Sequence, residues 1–318
     1  MQFPPELTIA LQALLEGVPR KELAVAAKHM SEGYRRGETS QPITGTLQAI
    51  AYAVARMPAT FAACGAVFAR LVEAMPGFAP QSLLDVGAGT GAASWAAVTQ
   101  WPGLVSVTML DRNPALAALA RRLAGAGPLA GAKILAGDLG SEKTKAELGA
   151  ASYVLAELPE DHAASVALNL WACAELALVL VEPGTPDGFA RIRAARAALI
   201  KAGAHLAAPC THDQDCPMGN GDWCHFSQRL PRSRDHMLLK DATVPFEDER
   251  YSYVAVARKS VAKGARMRLS RVLAPPLETK PGLTFKLCDE TGLHARFVAS
   301  RDRDEYRRVR KLGWGDLF

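Results

Sequence analysis

The chain has 318 residues, of which 49% are hydrophobic, and a formal net charge of +5. That length allows one large domain with additions or two modest domains, with enough apolar content for a sizeable core. No apolar run reaches the roughly 20 residues that span a bilayer, and Met1 to Ala10 has neither a basic segment before an apolar core nor the early arginines of a mitochondrial presequence. The expectation is a bacterial cytoplasmic protein with no membrane partner, a monomer being favoured. The charge is uneven: residues 1–189 carry 13 Lys+Arg against 17 Asp+Glu, and residues 190–318 carry 24 against 15. A basic second half suits contact with a polyanion.

Residues 1–78 read as an N-terminal helical region. Leu7, Leu11, Leu14 and Leu15 form a stripe at helical spacing, and two further helices are predicted over 44–57 and 58–75. Pro58 opens the second, where its missing N–H costs nothing. The run Pro76-Gly77-Phe78-Ala79-Pro80 marks a boundary. Strand and helix signals then alternate. Strands are predicted over 82–86, 105–110, 133–136, 152–156 and 177–181, with helices over 92–99 and 114–123 among them. Such alternation implies a parallel sheet covered on both faces, an α/β domain over 79–258. Residues 205–208 and 251–257 could close the sheet as a hairpin. The residues between them, 209–250, form a cysteine-rich insert too long for an ordinary hairpin loop. After Arg258 the composition becomes basic, and 259–318 reads as a small β appendage. Two short strands are predicted within 282–299 and a charged helix over 302–311.

The first predicted strand ends in Leu84-Asp85-Val86-Gly87-Ala88-Gly89-Thr90-Gly91. The glycines permit positive φ and close approach of a ligand to the backbone. Their spacing differs from the G-x-G-x-x-G of dinucleotide folds. Asp85 is placed to face an ammonium group, Asp111 ends the second strand where an acid can hold ribose hydroxyls, and Asp138 follows the third. These features in this order resemble class I methyltransferases. The resemblance implies S-adenosylmethionine as cofactor, with Gly87, Gly89 and Gly91 passing the methionine and ribose, Asp111 on the ribose and Asp138 on the adenine amino group.

Cys210, Cys216 and Cys224 fall in a polar, turn-rich stretch, where ligation is favoured over burial as free thiols. Cys288 is the natural fourth thiolate. Four thiolates suit either zinc or a [4Fe–4S] cluster, and His212 and His225 keep a mixed-ligand zinc site open.

Several segments together resemble a known family: residues 152–158, Glu182-Pro183-Gly184-Thr185-Pro186, the cysteine stretch 210–226, and Phe246 to Tyr253. The family comprises methyltransferase-like proteins of the small ribosomal subunit, known from mitochondria and bacteria. The resemblance covers roughly residues 40–318. It implies a role in small-subunit assembly or translation and an iron–sulfur cluster on Cys210, Cys216, Cys224 and Cys288.

Catalysis is less legible. An amino-nitrogen methyltransferase shows Asn/Asp-Pro-Pro-aromatic after the fourth strand, where this chain has Leu155-Ala156-Glu157-Leu158. No cysteine stands there to act as a nucleophile on a pyrimidine. Glu157 is the one candidate base, a helix-capping carboxylate is the preferred reading of it, and no catalytic residue is assigned. Arg258, Lys259, Lys263, Arg266, Arg268 and Arg271, with Arg229, Arg232 and Arg234 after the cysteines, suit phosphate contacts to ribosomal RNA. Trp314 could stack on a base or pack on the domain. Three readings stay open: a methyltransferase of small-subunit ribosomal RNA, a non-catalytic assembly factor that binds it, and a small-molecule methyltransferase with a zinc-stabilised insert.

Overall fold

The computed structural model describes residues 3–35, 43–125, 127–137, 144–219, 221–261 and 269–318. Asp138, Lys263, Arg266 and Arg268 lie outside the described residues. Four helices come first: α1 (Pro5–Leu15), α2 (Arg20–Arg35), α3 (Thr46–Ala55) and α4 (Met57–Ala74). By length and composition α4 is apolar enough to cross a membrane, but most of it is buried inside the protein. Phe61, Phe68 and Leu71 of α4 join Leu7 of α1 and Leu83, Met109 and Tyr253 of the sheet in one continuous core. The N-terminal helices therefore cover one face of the sheet.

The sheet is built from β1 (Ser82–Val86), β2 (Ser106–Asp111), β3 (Lys133–Ala136), β4 (Ala146–Ser152), β5 (Ala174–Pro183), β6 (His205–Ala208), β7 (Phe226–Pro231) and β8 (Phe246–Ala257). Its order is β3-β2-β1-β4-β5-β8-β6, with β7 on the far half of β8. The first five strands are parallel; β8 runs antiparallel to β5, β6 and β7. Helices α5 (Ala92–Gln100) and α6 (Pro114–Ala124) lie on the face shared with α4, while α7 (Ala163–Cys173) and α8 (Pro186–Lys201) cover the other. This is the expected α/β, Rossmann-like class, with the expected closing hairpin.

One strand differs from expectation. The fourth runs over Ala146–Ser152, ahead of the predicted 152–156, and Leu155–Glu157 is a 3-10 turn. The segment is rich in Ala and Gly, without the β-branched residues that advertise a strand. Close packing explains this: a Cβ on Gly149 would lie 3.1 Å from Leu178 Cδ1 and 3.2 Å from Ala174 Cβ on β5.

Four of the five residues of the Glu-Pro-Gly-Thr-Pro run have a local task. The buried Glu182 carboxylate accepts from the Leu155 and Ala156 N–H groups at 2.8 and 2.9 Å, pinning the chain after β4. Gly184 donates to the Arg250 carbonyl at 2.9 Å, so close to β8 that a Cβ would sit 2.7 Å from Arg250 C and Tyr251 N. Thr185 caps α8 by accepting from the Gly188 N–H at 3.1 Å, and Pro186 occupies its first turn.

Beyond β8 lie β9 (Arg271–Val272), β10 (Leu277–Thr279), β11 (Gly282–Asp289), β12 (Gly292–Ala299) and α10 (Arg303–Val309), after the short α9 (Arg234–Leu239) of the insert. The β11–β12 hairpin and the helix match expectation; β9 and β10 are additional. This sheet has its own core of Val272, Leu283, Phe285, Leu287, Val298 and Val309. Replacing Gly184 by Ala should destabilise the protein by roughly 1–3 kcal/mol through overpacking against β8. Urea denaturation monitored by tryptophan fluorescence measures it, and an unchanged midpoint would contradict the close approach.

Candidate cofactor cleft and thiol site

The loop after β1 carries three left-handed glycines, Gly87, Gly89 and Gly91, at φ 67°, 56° and 84°. Any side chain would be strained there. The loop is anchored from below by Gly87 and Ala88 donating to the Leu110 carbonyl at 2.8 and 3.1 Å. From above it is approached closely: a Cβ on Gly87 would lie 2.2 Å from Val154 Cγ2, and one on Gly89 would lie 3.9 Å from the Tyr52 ring. Tyr52, on α3, stands over the loop, and no local pattern in the sequence marks it. Its position could be found only from packing of the N-terminal helices.

Asp85 is fully buried, and one carboxylate oxygen accepts from Ser94 N–H at 3.1 Å and Ser94 Oγ–H at 2.7 Å. Burial pushes its pKa up to about 6, against the hydrogen bonds from Ser94. Its Oδ1 and the Thr90 hydroxyl are buried without a partner, the kind of vacancy a polar ligand fills. Asp111, at the end of β2, accepts from Gly89 N–H and Asn113 N–H, each at 2.7 Å. Burial raises its pKa as well. The predicted set Asp85, Gly87, Gly89, Gly91 and Asp111 thus meets around one strand-end loop, where the unpartnered Asp85 Oδ1 and Thr90 hydroxyl would suit a cofactor that carries an ammonium group.

Glu157 does stand beyond β4, but its carboxylate is ion-paired with Arg112 at 3.0 Å. This bridge joins the exits of β2 and β4. Tyr153 adopts φ 62° and donates to Glu249 on β8 at 2.7 Å. Glu182, beneath this turn, is pushed up to about 8 by burial, opposed by its two backbone donors and Arg191.

The four predicted thiols line one cavity of about 40 Å³. Cys210 follows the end of β6, Cys216 and Cys224 come from the insert, and Cys288 is placed by β11, opposite Arg271 of β9. Burial pushes the Cys210 and Cys224 thiols up, and Cys288 up to about 12, with the neighbouring cysteines adding to the shifts. His212 Nε2 stands 3.9 Å from Cys288 Sγ. His225 is turned aside: its ring stacks on Trp223 at 5.1 Å and meets the Trp314 edge at 4.9 Å. Trp314 accordingly packs on the domain. Among the described residues no three metal-ligating side chains are drawn together as a single ion requires. Four part-buried thiols lining one space are nonetheless a donor set of the kind that holds a thiolate-bound metal centre. Arg196 and Arg271 line the same cavity. Arg196 was not singled out in the sequence, where a lone arginine on α8 carries no signal.

The basic residues divide. Arg271 is 1% exposed, with Nε and Nη1 donating to Pro209 O and Gly315 O at 2.8 and 2.7 Å. It faces inward and is unavailable to RNA. Arg258 lies 3.7 Å over the Trp171 ring and donates to the carbonyls of Trp171 and Ala174 at 2.8 and 2.9 Å. Arg229 pairs with Asp248 at 2.7 Å and Arg232 with Glu247 at 3.2 Å. Arg234 and Lys259 are exposed. A charge count cannot tell a guanidinium that closes an internal network from one offered to solvent.

A family model described as "Mitochondrial small ribosomal subunit Rsm22" matches residues 46–318. The chain belongs to this family. The match takes in the glycine loop and all four cavity cysteines. The human "Ribosome assembly protein METTL17, mitochondrial" is 30% identical over 289 residues, 85% of this chain and 62% of that protein. The Schizosaccharomyces pombe "Rsm22-cox11 tandem protein 2, mitochondrial" is 24% identical, over 94% of this chain and 46% of its own. The chain thus spans less than two thirds of either relative. Both are mitochondrial by name, so the cytoplasmic expectation finds no support there. Among solved structures, magnesium protoporphyrin IX methyltransferase from Synechocystis PCC 6803 is 15% identical with TM-score 0.42, covering 80% of this chain and 98% of that one.

Replacing Glu182 by Gln should change the pH dependence of stability. A folded pKa of about 8 against an ordinary 4.5 means the protonated carboxyl favours the fold. That contribution is full below 4.5 and lost as pH rises through 8. Stability of the parent relative to the Gln variant should fall across that window in urea melts, and parallel curves would reject the burial argument.

Proposed function

We propose that this chain is an assembly factor of the small ribosomal subunit that binds S-adenosylmethionine in the β1–β2 cleft and an iron–sulfur cluster on its four cavity thiols. The family match across residues 46–318 carries the reading, and the names of the two relatives agree with it. Gly87, Gly89 and Gly91 would pass the methionine and ribose, Asp111 would hold the ribose, and Asp85 Oδ1 would meet the ammonium group. Asp138 is assigned to the adenine by the resemblance alone. The cofactor, when bound, brings an activated methyl group. The chain's residues bind and orient it, and the engagement of Glu157 by Arg112 favours binding over methyl transfer.

Cys210, Cys216, Cys224 and Cys288 are the ligands of the proposed cluster. A single zinc at about 2.3 Å from each sulfur would draw the thiolates to about 3.8 Å from one another. The wide, irregular spacing of the four cysteines in the chain, without paired Cys-x-x-Cys, favours the iron–sulfur cube over zinc. Arg234 and Lys259, exposed on the basic half, are the described residues best placed to meet ribosomal RNA phosphates. Arg229 contributes from the edge of its pair with Asp248.

Pelleting with purified small ribosomal subunits in labelled S-adenosylmethionine tests the role. The chain should co-sediment at low salt, weaken as salt rises and leave the RNA unlabelled. Failure to sediment at any salt overturns the assembly role, and stoichiometric labelling would make it a methyltransferase. In calorimetry, Asp111→Ala should weaken cofactor binding by roughly 1.5–3 kcal/mol, the scale of hydrogen bonds to a charged group. Equal affinities would remove Asp111 from the cleft.

A further inference from the structure

Two guanidinium groups share the thiol cavity, and neither is fully satisfied. Arg196 is 4% exposed. Its Nη2 donates to the carbonyls of His212 and Gln214 at 3.3 and 2.5 Å, while its Nε is buried without a partner. Among the described residues no carboxylate lies within 4.0 Å of it. Arg271 is 1% exposed and leaves Nη2 buried without a partner. Its nearest carboxylate is that of Glu73, at 3.6 Å and itself 37% exposed. A buried guanidinium that lacks a counter-charge is costly, and such groups are found paired. Here the surrounding acceptors are carbonyls and sulfur atoms, and carbonyls supply no charge.

The identity of the missing partner follows from arithmetic of charge. Four thiolates around zinc, or around an oxidised iron–sulfur cube, form a dianion. Two arginines balance a dianion. Local structure places both against the thiols. Arg271 sits opposite Cys288 in the β9–β11 register, and Arg196 projects from α8 to the Cys210 side of the cavity.

We infer that Arg196 and Arg271 are built-in counter-cations of the metal–thiolate centre, so that the loaded cavity is close to electrically balanced, while the unloaded one leaves Arg196 without a counter-charge and Arg271 with only the part-exposed Glu73. This rests on the proposal that the four thiols hold such a centre. It adds that retention of the centre depends on charge supplied by α8 and β9, outside the cysteine stretch.

The experiment uses the full chain purified without oxygen, with iron, sulfide and zinc measured per chain. If the parent holds none of these, even after reconstitution with iron and sulfide, the thiol-site proposal fails before the arginines are at issue. If it is loaded, compare parent, Arg196→Gln and Arg196→Lys. Gln keeps a donor for the two carbonyls and removes the charge; Lys keeps the charge. Loss of metal to a chelator should be faster in Arg196→Gln by about 10- to 100-fold, the usual cost of removing a group that supports metal ligands. Arg196→Lys should lie close to the parent. The rise in melting temperature from apo to loaded protein should shrink in the Gln variant and persist in the Lys variant. A merely structural arginine would lower both forms alike and leave that rise unchanged. Equal shifts, or a Lys variant as leaky as the Gln variant, overturn the inference. If Arg196→Gln does not fold, Arg271→Gln is compared with Arg271→Lys by the same two readouts.

Discussion

The pairing of β8 with three other strands is the constraint on which both sites depend. One half of this strand closes the main sheet between β5 and β6; the other half extends past it to hold β7 and the insert. Pairing to β7 over residues 246–251 and to β5 over residues 251–257 sets the insert in register with the cofactor sheet. Gly184 can hug this strand only because it has no Cβ, which brings the start of α8, and so Arg196, into place. Glu249 of the same strand receives Tyr153 from the cleft side. Three residues on, Ser252 Oγ–H donates to the Cys224 carbonyl at 2.8 Å. A single strand thus touches the turn beside the glycine loop and the chain beside the thiols.

How far the sequence could be read follows from which forces leave local marks. Glycines at positive φ and acids at strand ends are demanded by backbone geometry, and they stand adjacent in the chain. Asp85, Gly87, Gly89, Gly91 and Asp111 were therefore visible. The four cysteines were visible because polar surroundings are unusual for free thiols. The fourth strand was misplaced because its Ala-Gly composition answers to the neighbouring β5 and not to an intrinsic preference. Tyr52 and Arg196 went unnoticed because they reach their sites through helix packing, a long-range effect that no local pattern records. Arg258 and Arg271 were assigned to RNA on charge alone. Cation–π stacking and carbonyl capping decide otherwise, and both depend on partners 84 to 87 and 44 to 62 positions away in the chain.

The cleft and the thiol cavity also differ in how they are prepared. In the cleft, left-handed glycines and buried oxygens are already held by backbone hydrogen bonds, so a ligand would meet a rigid floor and displace little. In the thiol cavity burial favours the protonated forms of Cys210, Cys224 and Cys288, with positive charge already in place beside them. A metal bound there would have to displace those protons, and its binding would supply the free energy for that loss.

Chain order adds a temporal consequence. Three of the cavity thiols lie within residues 210–224, whereas the fourth, with the β9 arginine opposite it, belongs to the terminal sheet. During synthesis the first three leave the ribosome well before Cys288. The nascent insert can therefore present at most three of the four thiols, and closure of the cavity must wait until the terminal sheet has emerged and paired. A chain truncated before that sheet would expose the first three thiols without the clasp that completes them.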